Sequence, residues 1–159
     1  MKRILILGGS GFVGRQLCKA LADSDVKLTI PSRQRHVPEQ TQNPVNPKQI
    51  RFVTTDVIEG PDLPALIREH DVVINLIAIL HGKEQSFQRI HVDWVNTLAQ
   101  LCAGAGIEHL IHVSALGADM QGPSMYLRSK GRGEKTLLRL RAESGLPVTI
   151  LRPSVIFGK

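Results

Sequence analysis

An apolar run, Ile4-Leu5-Ile6-Leu7, breaks at once into Gly8-Gly9-Ser10-Gly11-Phe12-Val13-Gly14. Few folds accommodate that order. A short run of branched aliphatic residues without polar alternation reads as a strand buried on both faces, as in the middle of a parallel sheet. The glycines that follow have separate tasks. Gly8 gives a tight exit from the strand, Gly11 has no Cβ to keep a diphosphate off the backbone, and Gly14 lets the next helix pack close to the sheet. The helical pattern Phe12, Val13, Leu17, Ala20, Leu21 then begins. Its first turn offers unpaired N–H groups and the helix dipole to an anion. Gly8, Ser10, Gly11, Phe12 and Val13 are therefore the candidate diphosphate contacts. A purely structural glycine turn is the alternative; the position between a buried strand and a helix favours a dinucleotide over it.

The rest of the chain repeats the alternation. Strands are predicted over 26–30, 50–55, 71–78, 107–113 and 148–153, and helices over 11–22, 63–70, 86–105 and 124–142. Between 36 and 49, Pro38, Pro44 and Pro47 stand among polar residues, which predicts a loop with little helix. Six strands alternating with helices specify an α/β fold, a doubly wound parallel sheet (Rossmann) in the order 3-2-1-4-5-6 with helices on both faces. At 159 residues, the chain is expected to form one dinucleotide-binding domain, 1–159.

The second strand ends where an adenosine ribose would lie. An acid there would select NAD through the ribose 2′-hydroxyl, whereas a basic residue tolerates a 2′-phosphate. The chain reads Pro31-Ser32-Arg33-Gln34-Arg35, with no acid. That points to NADP(H), with NAD(H) as the second candidate, and to Ser32 and Arg33 as phosphate contacts with Arg35 helping. A solvated basic loop is the plainer reading. After the third strand, Asp56, with Val57 beside it, either accepts a hydrogen bond from the adenine amino group or caps a turn, and the sequence weighs these evenly. The end of the fourth strand, Leu76, Ile77 and Ala78, is expected against the cofactor ribose, because ligands bind beyond the carboxyl ends of parallel strands.

Composition narrows the field. A net charge of +6 admits a phosphorylated ligand, an acidic surface or nucleic acid. Aromatic residues make up only 4%, and no basic run is interleaved with them, so nucleic acid is not expected as a partner. Cys18 and Cys102 lie in helical patterns without C-x-x-C spacing and read as reduced core thiols. Met1 leads straight into the first strand and no apolar run is long enough to cross a bilayer, so a cytoplasmic setting is expected, with a peripheral place on a membrane complex also open. His109 and His112 point to opposite faces of a strand without a carboxylate cluster, so no metal is expected. Trp94 reads as a core member of a helix, and His91 as a partly buried polar group on it rather than a catalytic one.

The chemistry concentrates at Ser114, Tyr126 and Lys130. Tyr126 and Lys130 stand four apart in a predicted helix and share a face. An ammonium beside a phenol favours phenolate, which predicts a tyrosine pKa lowered from about 10 towards neutrality. Tyr126 would then exchange a proton with a substrate hydroxyl or carbonyl while hydride moves to or from a nicotinamide. Lys130 would hold ribose hydroxyls, and Ser114 would hydrogen-bond the reacting oxygen.

With these residues in place, the sequence resembles the short-chain dehydrogenase/reductase superfamily in its extended or atypical, epimerase/dehydratase-like branch. The resemblance runs the length of the chain, through Gly8 to Gly14, Asp56-Val57, Ser114, Tyr126-Leu127-Arg128-Ser129-Lys130 and Leu151-Arg152-Pro153-Ser154-Val155-Ile156-Phe157-Gly158. It implies further cofactor contacts at Val113, Pro153, Val155 and Ile156. More narrowly, Val113 to Asp119 and Tyr126 to Gly131 look like the bacterial relatives of the NADPH-binding accessory subunit of mitochondrial complex I. That likeness implies tightly held NADPH without settled turnover. Two departures stand out. His91-Val92-Asp93-Trp94-Val95 replaces the superfamily's frequent Asn-x-x-Gly-Thr, and the chain stops at Lys159, where extended members continue into a C-terminal substrate domain. Two functions follow from these residues. One is an NADP(H)-dependent oxidoreductase or epimerase acting on an unidentified small molecule; the other is a non-catalytic NADPH-binding subunit of a larger assembly.

Overall fold

The computed structural model describes residues 1–34 and 49–158. Arg35 and most of the proline-rich segment lie outside them. The chain divides into two compact units, Met1–Leu76 and Ile77–Lys159. Its six strands form one parallel sheet in the order β3-β2-β1-β4-β5-β6, as the alternation of the sequence requires.

The first unit runs β1 (Lys2–Leu7), α1 (Phe12–Ala20), β2 (Val26–Ser32), β3 (Ile50–Thr54), α2 (Leu63–Arg68) and β4 (Val72–Asn75). Leu5, Ile6 and Leu7 have no solvent exposure, because β1 is flanked by β2 on one side and β4 on the other. Each such side chain contributes roughly 1.5–3 kcal/mol relative to an exposed one. Two strand ends differ from the pattern. β2 continues through Pro31 and Ser32, opposite Val53 and Thr54 of β3. The amide that Pro31 lacks is not needed there, since β1 pairs with β2 only as far as Leu5 and Thr29. β4 stops at Asn75 rather than running to Ala78. Its partner β1 ends opposite, at Leu7, and a last bond from the Leu76 amide to the Leu7 carbonyl closes the ladder before the glycines turn away.

The second unit runs α3 (Glu84–Gln88), a wide π turn (Arg89–Asp93), α4 (Trp94–Ala105), β5 (His109–Val113), α5 (Met125–Ser144) and β6 (Val148–Leu151). The single helix expected over 86–105 is therefore present, widened into a π turn but not broken, and its buried line passes through Phe87, His91, Trp94, Val95, Leu98, Ala99 and Cys102. α5 begins after Ser124, whose hydroxyl accepts from the Leu127 amide, and ends at Gly145 in a left-handed conformation. Both cysteines are free and buried, and burial pushes the Cys18 thiol up to about 11 and the Cys102 thiol to about 12. Among the described residues no helix is long and apolar enough to cross a membrane, and no cluster of three metal-ligating side chains forms.

Candidate functional site

The turn after β1 is built around two close approaches. Gly8 sits at φ 82, a left-handed conformation that side chains with a Cβ seldom adopt. A Cβ on Gly14 would stand 2.4 Å from the Gly9 Cα and 2.6 Å from the Gly8 carbonyl oxygen. The start of α1 is thus pressed onto the turn itself, not onto the sheet as the pattern suggested. Gly11 is different. As the residue before the helix it has φ −74 and ψ −179, which any residue adopts, and a Cβ there would meet only the Gly8 carbonyl oxygen at 3.2 Å. Conformation does not demand glycine at this position, and an added Cβ would press on that one oxygen alone. No side chain caps α1 and its first turn carries no acid. The amides of Phe12 and Val13, in the first turn of α1, therefore have no helical acceptor. Uncapped amides, exposed Gly11 and an acid-free first turn fit a diphosphate.

At the end of β2, Ser32 is half-buried and its hydroxyl accepts from the Gln34 amide at 3.3 Å. Arg33 is exposed, without an ion-pair partner among the described residues. Asp56 takes up the turn-capping reading: its Oδ1 accepts from the amides of Ile58, at 2.9 Å, and Glu59, at 3.2 Å. Val57 is buried beside it. Leu76 and Ile77 are half-buried and Ala78 is exposed in the segment that follows β4.

In the second unit, β5 delivers Val113 and Ser114 and α5 delivers Tyr126 and Lys130. Lys130 is 1% exposed, and its Nζ donates to the Val113 carbonyl at 2.8 Å. One of three ammonium protons is thereby placed, leaving two. The Ser114 hydroxyl is buried with no hydrogen-bond partner among the described residues. A buried hydroxyl left unpaired is uncommon, and it fits an oxygen supplied by a ligand. Tyr126 is half-buried against two rings, His91 at 5.5 Å and Phe87 at 6.4 Å between centroids, both edge-on. Pro153 is half-buried, its carbonyl accepting from the Leu116 amide, while Val155 and Ile156 stand exposed.

The electrostatics depart from the expectation of an activated phenol. Burial raises the Tyr126 pKa above its ordinary value, and no charge opposes the rise. Burial also pulls Lys130 down to about 8, against the attraction of Glu134, which raises it. The ammonium is turned to the Val113 carbonyl and the phenol lies among rings, so sharing a helix face does not make them a coupled pair. Glu134, one turn beyond Lys130, is buried and ion-paired to Arg152, whose Nε lies 2.9 Å from Oε1. His91 and His112 are both nearly inaccessible, and burial holds their pKa values down at about 4 and about 3, with Lys130 adding to each effect. His109 is tied to the Thr149 hydroxyl at 2.7 Å.

A family model described as "NAD dependent epimerase/dehydratase family" matches residues 4–159. The chain belongs to that family. It is similar to the mouse protein named NADH dehydrogenase [ubiquinone] 1 alpha subcomplex subunit 9, mitochondrial, with 31% identity over 97% of this chain and 40% of the mouse protein. The Neurospora crassa NADH-ubiquinone oxidoreductase 40 kDa subunit is 26% identical over 96% of this chain and 40% of its own length. The chain thus spans about 40% of these curated relatives. Among solved structures, the UDP-glucuronic acid 4-epimerase of Bacillus cereus in complex with NAD superposes with a TM-score of 0.84 at 22% identity, covering 98% of this chain and 58% of the epimerase. At that identity the likeness concerns the fold. Motif reading singled out Ser114, Tyr126 and Lys130. It did not foresee the buried bonds that His91 makes around Tyr126, whose one visible sign was the histidine standing where the superfamily often has asparagine.

Proposed function

We propose that this member of the epimerase/dehydratase family binds a nicotinamide dinucleotide, NADP(H) in preference to NAD(H), and uses Tyr126 as acid/base toward a small molecule bearing a hydroxyl or carbonyl. The observation that carries the reading is Gly11: glycine where the backbone does not require it, at the head of an uncapped helix. The amides of Phe12 and Val13, with Gly8 and Ser10, take the diphosphate. Ser32 and Arg33 take the 2′-phosphate, Asp56 and Val57 flank the adenine, and Leu76, Ile77 and Ala78 flank a ribose. Val113, Pro153, Val155 and Ile156 flank the nicotinamide end. When bound, the nicotinamide supplies or accepts the hydride. Lys130 gives its remaining N–H groups to ribose hydroxyls, and the unpaired Ser114 hydroxyl binds the substrate oxygen. Tyr126 Oη gives that oxygen a proton in the reducing direction and removes it in the oxidising one. The whole chain serves as the cofactor domain in this reading, in a cytoplasmic setting.

One observation favours a second reading. A phenol whose pKa burial has raised is poorly prepared to take a proton at neutral pH, which suits a dinucleotide held as a structural or sensing ligand. The subunit names of the curated relatives point the same way, toward a place in a larger, complex I-like assembly.

Calorimetric titration with NADPH and NADH tests the shared core. NADPH is expected to bind at least tenfold tighter, and Arg33→Asp to abolish or reverse that ratio; an unchanged ratio removes Arg33 as the selector. Oxidation of bound NADPH by a panel of carbonyl compounds, lost in Tyr126→Phe, supports the enzyme. Cofactor that binds and never turns over supports the assembly subunit.

A further inference from the structure

His91 lies in the π turn between α3 and α4, 1% exposed, and both its ring nitrogens are engaged. The amide of Ile79 donates to Nε2 at 3.1 Å, and Nδ1 lies 2.7 Å from the Ser129 hydroxyl oxygen. Ser129 in turn donates to the carbonyl of Tyr126 at 2.8 Å. These bonds fix every proton. A backbone N–H can only donate, so Nε2 must be the bare nitrogen and Nδ1 must carry the hydrogen. Since the serine proton goes to the Tyr126 carbonyl, the serine oxygen is free to accept from Nδ1. The result is a one-directional chain: Ile79 N–H to imidazole, imidazole to Ser129, Ser129 to Tyr126.

The backbone reinforces it. A Cβ on Gly133 would fall 2.1 Å from the His91 carbonyl oxygen, so the π turn is seated directly on the helix that carries Tyr126 and Lys130. The His91 ring also packs edge-on against the Tyr126 ring. Hydrophobic packing alone would put an aliphatic side chain at this buried position; an imidazole with both nitrogens used is there for direction.

We infer that His91, as the neutral Nδ1–H tautomer, is a positioning residue that locks the Ile79 segment to the Tyr126 turn of α5 and so sets where the tyrosine stands. The inference deepens the function proposed above and rests on it for the importance of Tyr126. Its physical content is independent of any nucleotide.

The test uses the ligand-free protein. Imidazole nitrogen NMR of the unaltered chain is expected to show His91 protonated at Nδ1 and bare at Nε2; the opposite tautomer overturns the inference. His91→Phe keeps ring volume and removes both bonds. In the folded variant, the Ile79 amide is expected to exchange hydrogen at least tenfold faster. The titration midpoint of Tyr126, the chain's single tyrosine, is expected to fall toward about 10 as the ring loosens. His91→Gln, whose Oε1 takes the place of Nε2, is expected to restore Ile79 protection. Ser129→Ala is expected to leave Ile79 protected and to move the Tyr126 titration in the same direction as His91→Phe. A structural role alone would lower stability and leave the tyrosine titration where it was, and that result overturns the inference. Because no readout requires nucleotide, loss of the dinucleotide reading and loss of the His91 link remain separable.

Discussion

At Tyr126, reactivity and burial pull in opposite directions. The four-residue spacing to Lys130 was legible because helix geometry alone fixes which side chains share a face. The direction of the tyrosine shift was not, since it depends on Phe87 and His91 arriving from a separate stretch of chain to bury the phenol. Spectrophotometric titration of this single tyrosine is therefore expected to give a midpoint above 10 in the ligand-free protein, and one near 8 would restore the activated phenol. Lys130 makes a second prediction. Its pKa falls from 10.5 to about 8 on folding, so the unfolded chain holds more protons between those values and stability rises with pH across that window. Urea unfolding is expected to show the rise between pH 8 and 9, above which the two buried thiols, kept protonated by the fold, oppose it, and Lys130→Met is expected to flatten the rise. The buried imidazoles work with the same sign at lower pH. His91 and His112 bind protons at about 6.5 when unfolded but only at about 4 and 3 when folded, so stability is lost as pH falls below 6.5. Each contributes a slope of about 1.4 kcal/mol per pH unit through that interval.

At the scale of elements, the helical repeat Phe87, Trp94, Leu98 was visible, but the extra residue of the π turn was not. Apolar periodicity cannot register a turn whose inward residue is a histidine. Two glycines separate packing from propensity. Gly133→Ala drives a methyl group into the His91 carbonyl and is expected to cost about 2 kcal/mol or more. Gly104, in α4, has nothing within 4 Å of its would-be Cβ, and Gly104→Ala is expected to gain about 0.5–1 kcal/mol from helix propensity. Denaturant melts of the two variants check both, and a stabilised Gly133→Ala would mean that the π turn does not sit where it is described. The short β4 follows a similar logic. The apolar run 71–78 reads as strand throughout, yet a strand lasts only as long as its neighbour, and β1 ends at Leu7.

For the whole molecule, the strand order was legible because a buried strand, a glycine break and five further alternations leave few right-handed ways to wind a sheet. The proposed ligand rests on Gly11, Arg33 and the Ser114, Tyr126, Lys130 set, not on the winding of the sheet. No substrate is legible in the sequence, because fold does not determine reaction. The account stands on a diphosphate above the opening turn, and Gly11 allows it to be tested without unfolding the protein. An alanine there suits the backbone and asks the Gly8 carbonyl to give by a few tenths of an ångström at most. The decisive measurement is therefore calorimetric titration of NADPH into the parent and into Gly11→Ala, with thermal melts alongside. The account predicts saturable binding to the parent and at least tenfold weaker binding to an equally folded Gly11→Ala. A parent that binds neither NADPH nor NADH, or a variant that binds as tightly as the parent, would contradict it.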